Sequence, residues 1–195
     1  MTEARRIGLL GGSFNPAHDG HLHISSLALK KLKLDQLWWL VSPGNPLKSK
    51  VGMASLNYRM NVAKKVAASN PNIVVSDIEN RLRTCHTVDT VQSIMAKFPE
   101  ISFVWIMGAD LLVQLPQWKR WRMLFKMVPI AIFARPAYSA RVLTGRAARC
   151  FNSARVARHR IGSLVKMRPP AWAYVRTRLN NQSATKIRSN DEQAL

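Results

Sequence analysis

Two histidines three residues apart, His18 and His21, follow a glycine turn, and that combination suits a phosphate. Residues 11–21 read Gly-Gly-Ser-Phe-Asn-Pro-Ala-His-Asp-Gly-His, after an apolar run at 7–10. Glycine has no Cβ, so the backbone at Gly11 and Gly12 can come close to a ligand. A helix start offers unpaired N–H groups and partial positive charge. Residues three apart on a helix share one face, so His18 and His21 point the same way. The pattern is neither a P-loop nor a dinucleotide fingerprint, because Gly-x-x-x-x-Gly-Lys-Ser/Thr and Gly-x-Gly-x-x-Gly are both missing from this stretch. Neither paired carboxylates nor a Ser-His-Asp set stands out.

The order of elements places these residues. Residues 7–11 read as a strand and 20–33 as an amphipathic helix, with Leu22, Ser25, Ser26, Leu29 and Leu32 near helical spacing. Strands are predicted at 36–41, 73–76, 102–107, 129–133 and 172–175, and helices at 56–69, 88–97 and 183–189. Alternation of strand and helix predicts an α/β fold, a doubly wound and mostly parallel sheet. In that architecture ligands sit beyond the carboxyl ends of strands. The turn at 11–21, the loop 42–48 and the segment 108–110 all fall at such ends. The segment 138–170, rich in Arg and Ala, is expected to be a helix and a loose connection. One domain over 1–195 is expected, with a small helical part from about 138.

Composition narrows the class. The chain has 195 residues and 47% hydrophobic content, ordinary for a globular protein. Its two cysteines, Cys85 and Cys150, lie far apart, which excludes a disulfide framework or zinc ribbon and fits a reducing compartment. No apolar run approaches the length that spans a bilayer, and no secretory pattern opens the chain. A soluble cytoplasmic protein is expected, with no membrane partner. Net charge is +20, and 111–190 holds no Asp or Glu at all. Such a field attracts polyanions without selecting among them, so nonspecific nucleic-acid attraction is expected. His18, His21 and His23 form a small cluster, but it lacks the frame of a metal site.

The stretch 11–21 resembles the signature of the HxGH nucleotidyltransferase superfamily, and within it the bacterial nicotinate-nucleotide adenylyltransferases. Three later segments resemble that family in the expected order: Ser42 to Lys48, Gly108-Ala-Asp110 with Trp118, and Ser183-Ala-Thr-Lys-Ile-Arg188. The resemblance runs from Ile7 to Arg188. It implies a Rossmann-like nucleotidyltransferase fold and transfer of AMP from ATP to nicotinate mononucleotide, giving deamido-NAD and pyrophosphate. An acceptor phosphate oxygen then attacks the α-phosphorus directly, with no covalent enzyme intermediate. By the same resemblance His18, His21, Lys48 and Arg188 carry the catalytic role on the phosphates. Gly11, Gly12, Ser13, Phe14, Asp110, Ser183 and Thr185 serve ATP, with Asp110 on ribose hydroxyls or a Mg²⁺ shell. Mg²⁺ is expected with the triphosphate. Thr87, read as the cap of a helix, and Trp118 frame the nicotinate. The family often has an arginine at the position of Arg59, and an aromatic residue where this chain has His86. Two alternatives stay open: the same chemistry on nicotinamide mononucleotide or another phosphate acceptor such as phosphopantetheine, and a basic RNA-binding module.

Overall fold

A computed structural model describes residues 4–44, 52–135 and 140–176 of the chain. Lys48, Ser183, Thr185 and Arg188, and the helix expected at 183–189, lie outside these residues.

Six strands form one sheet in which every pairing is parallel. They are β1 (Arg6–Gly12), β2 (Gln36–Val41), β3 (Ile73–Ser76), β4 (Ser102–Gly108), β5 (Ile130–Phe133) and β6 (Trp172–Val175), in the order β3-β2-β1-β4-β5-β6. Seven α-helices are described between them: α1 (Asp19–Lys31), α2 (Leu56–Ala67), α3 (Ile78–Arg81), α4 (Thr87–Lys97), α5 (Ala109–Gln114), α6 (Trp121–Met127) and α7 (Arg146–Cys150).

The strand sequences explain the layering. Alternate residues of a strand point to opposite faces. On β4, Phe103, Trp105 and Met107 join one core with Val91 and Ile94 of α4 and Leu124 and Phe125 of α6. Val104 and Ile106 join the other, with Ala28 of α1 and Ala63 and Ala67 of α2. Both faces are covered, so the strands read as continuous apolar runs rather than alternating ones. The chain winds from β1 outward to β3, then returns to lay β4 against the free side of β1. The strand order therefore reverses between β1 and β4, which is where such sheets open a crevice.

The segment 138–170 differs from expectation. Residues 158–166 form a 3-10 helix whose Ile161, Leu164 and Val165 are buried against the sheet. The Phe151 ring stacks on Phe125 at 4.3 Å, and the Trp172 indole N–H donates to the Phe151 carbonyl at 2.7 Å. These apolar residues are scattered among arginines, so no clean helical period advertises them. Among the described residues no helix is long and apolar enough to cross a membrane.

Candidate active site

The turn after β1 is built by packing as much as by glycine. A Cβ on Gly11 would stand 2.5 Å from the Trp105 ring of β4, so only glycine fits there. Phe14 holds a left-handed backbone, φ 47°, which costs a bulky residue energy. Burial offsets it: the ring is 2% exposed and lies 5.0 Å from Trp39 and 4.7 Å from the His21 imidazole. The Phe14 side chain thus packs against the His21 imidazole from inside the fold. Arg59, on α2, is 1% exposed and donates to the carbonyls of Ser13 (2.6 Å), Ser42 (2.7 Å), Ala54 (2.9 Å) and Pro43 (3.4 Å). One buried guanidinium ties the turns after β1 and β2 together, and its burial pulls its pKa down. Asn15 adds a second tie, donating to the Gly52 carbonyl and accepting from the Ala54 N–H.

His18 and His21 come together, but in an arrangement the sequence reading did not foresee. His18 is the N-cap of α1, and its Nδ1 accepts the Gly20 N–H at 3.0 Å. His21 Nδ1 accepts the His18 N–H at 3.3 Å, completing a capping box with imidazoles as the caps. The N–H groups of Gly20 and His18 are therefore occupied. A neutral imidazole whose Nδ1 accepts carries its proton on Nε2. Both rings thus present an Nε2–H donor. Burial lowers the His21 pKa well below the usual 6.5, and the His18 and Arg135 charges lower it further. His18 is shifted the same way by burial and Arg135, against an opposing pull from Asp19. At neutral pH both are uncharged donors, and an anion placed beside them would push them back toward the imidazolium.

Arg135, just past the end of β5, was missed by sequence reasoning. It acts on both imidazoles, and its Nε sits 3.4 Å from Asp110 Oδ1. A Cβ on Gly108 would stand 2.7 Å from that Nε, so the glycine makes room for the pair at the end of β4. The signal was present: Arg135 occupies the carboxyl end of a predicted strand. Asp110 Oδ1 and Trp105 Nε1 are the two buried side-chain atoms without a hydrogen-bond partner among the described residues. The Arg135–Asp110 pair is thus close in charge but not aligned as a hydrogen bond.

Beside the histidines opens a cavity of about 330 Å³, within the range of small-molecule sites. Gly11, Gly12 and Ser13 line one side, and Thr87 and Trp118 the other. His18, His21, Asp110 and Phe14 do not line it. The N-cap of α4 is His86, not Thr87, and it makes no side-chain cap bond. His86, Thr87 and Val88 at the start of α4 line the cavity with no side chain capping that end, a setting whose N–H donors suit a carboxylate. Asp89, in the first turn of α4, pairs with Lys119 at 3.2 Å and with Arg120. That link fixes the Trp118 wall to the α4 wall. Among the described residues no group of three His, Cys, Asp or Glu could hold a metal, and His23 joins none.

Comparison with known proteins defines the class. A model of the family described as "Cytidylyltransferase-like" matches residues 9–190. The chain belongs to that family and, within it, to the nicotinate-nucleotide adenylyltransferases. A protein of Parvibaculum lavamentivorans named "Probable nicotinate-nucleotide adenylyltransferase" is 47% identical over 188 residues, covering 96% of this chain and 93% of its own length. One of the same name from Gluconobacter oxydans is 46% identical, covering 96% and 95%. A solved structure titled "Plasmodium falciparum nicotinic acid mononucleotide adenylyltransferase complexed with NaAD" matches with a TM-score of 0.71, over 97% of this chain and 89% of that one. At 16% identity it establishes the fold.

Proposed function

We propose that this chain is a cytoplasmic enzyme that moves AMP from ATP to nicotinate mononucleotide, releasing pyrophosphate and forming deamido-NAD. The observation that carries the reading is the pair of Nδ1-anchored imidazoles at the β1/β4 switch point, with Arg135 beside them. His18 and His21 offer Nε2–H groups to the α- and neighbouring phosphates, and Arg135 adds a fixed cation. Charge that builds on the phosphates as the acceptor oxygen attacks meets donors already in place. Family resemblance adds Lys48, Thr185 and Arg188 to the phosphates, and Ser183 to ATP with Gly11, Gly12 and Ser13. Asp110 serves ATP through its orphaned oxygen. The cavity between Gly11 and Trp118 receives the acceptor: Trp118 offers a face to the pyridine ring and the α4 start offers N–H groups to its carboxylate. The described donors do not make a protein-held magnesium site, since both imidazoles spend Nδ1 on backbone and Asp110 faces Arg135. Mg²⁺ is read as arriving on ATP. The exposed free thiols of Cys85 and Cys150 fit a reducing compartment.

The test is pyrophosphate release with ATP and Mg²⁺, offering nicotinate mononucleotide, nicotinamide mononucleotide and phosphopantetheine in parallel. Preference for the nicotinate form is expected. Release with phosphopantetheine alone, or with no acceptor, would overturn the reading.

A further inference from the structure

The mechanism above leaves one buried acid unused. Glu79, on α3, is 6% exposed and lines the same cavity as Thr87 and Trp118. Chain topology puts it there, because α3 begins just beyond the carboxyl end of β3. A buried carboxyl in an acceptor pocket needs an explanation, since burial of an unpaired anion is costly.

Its surroundings do little to hold a negative charge. Asp77 and Arg81, on either side of it in sequence, pair with each other at 3.1 Å. Arg59 of α2 is committed to carbonyls, and Lys119 across the cavity is committed to Asp89. Cys85 and His86 line the same cavity. The Ser42 hydroxyl is the one group that favours the ionised carboxyl. That hydroxyl has one proton, and the Gly44 carbonyl 2.8 Å away also draws on it. Burial accordingly pushes the Glu79 pKa up to about 7, against the pull of Ser42.

We propose that Glu79 sets the choice between the acid and the amide form of the acceptor's pyridine ring, through whether its own carboxyl carries a proton. This rests on the acceptor reading given above. A neutral carboxyl has an O–H to donate, which a ring carboxylate accepts. An ionised one only accepts, so it repels the ring carboxylate and takes an N–H from a ring amide. In an enclosed cavity these differences count for more than in water. The acid form is therefore favoured at low pH, and its advantage shrinks as Glu79 ionises.

The experiment measures kcat/KM for nicotinate and nicotinamide mononucleotides from pH 6 to 9, by pyrophosphate release. Both acceptors carry the same phosphate and meet the same ATP and histidines, so those titrations cancel in the ratio. In the native enzyme the ratio of acid to amide is expected to fall about tenfold or more across the range. In Glu79→Gln, which has a donor and an acceptor at every pH, it is expected to stay level within about twofold. Glu79→Asp keeps an ionisable carboxyl and should keep a falling ratio. A level ratio in the native enzyme, or an undiminished fall in Glu79→Gln, overturns the proposal while leaving the activity in place. Absence of turnover with either acceptor overturns the functional reading and this inference with it.

Discussion

With Nδ1 committed to the His18 N–H, His21 has Nε2 left to offer, and its packing aims that atom. The Phe14 and Trp39 rings and the His18 imidazole, 4.1 Å away, hold the ring in place. A group fixed before the substrate arrives costs little reorganisation during reaction. If its contact strengthens as charge moves onto the phosphates, the loss on removal belongs to the transition state. His21→Ala should lower kcat by about 10²-fold or more while changing the KM for ATP by less than about threefold. The variant also loses half a capping box, a cost of about 1 kcal/mol, so a thermal melt must accompany the kinetics. An unchanged kcat in the folded variant would remove His21 from the chemistry. The histidines were legible from their spacing. Their capping role was not, because Ser, Thr, Asp and Asn are the usual caps and an imidazole gives no such cue.

At the scale of elements, the cavity proposed for the acceptor is two walls held in register. One wall is the start of α4 and the other the Trp118 segment before α6, and Asp89 joins them through Lys119 and Arg120. The pair is partly exposed, so it is worth about 1 kcal/mol rather than several. Asp89→Asn should therefore raise the KM for nicotinate mononucleotide by about fivefold, with the KM for ATP and the melting temperature nearly unchanged. Equal loss for both substrates would mean that the link supports the fold rather than the wall. Strands β2, β3 and β6 match their expected limits to the residue, since alternating helix and strand signals mark their ends. Helices α5 and α6, at 109–114 and 121–127, went unread: six or seven residues give too few turns for a period to show. Glu79 and Arg135 were missed for a related reason. Each follows a predicted strand, yet what singles them out is burial or a neighbour supplied by tertiary contact.

The whole molecule carries a charge of +20, and its acidic residues are few enough that most of the positive field is uncompensated. Helix α6 shows the pattern locally: Arg122 and Lys126 flank Trp121 and Met123 in a shallow surface groove. Such a field raises the local concentration of any polyanion, ATP included, and thereby speeds its arrival. The same physics draws RNA, but without a reason to prefer one sequence, since the basic residues are spread over the surface rather than set in a stacking groove. Single-stranded RNA should therefore bind at 50 mM salt and lose about 10²-fold in affinity by 200 mM, the fall expected when about five phosphates release counterions. Turnover of ATP with nicotinate mononucleotide should survive the same change, because the phosphate contacts in the site are short-range and partly shielded from salt. The two measurements separate the field from the site. RNA affinity that withstands 200 mM salt and saturates at a fixed stoichiometry would make RNA a specific partner, and the surface charge would then need an explanation beyond attraction at a distance.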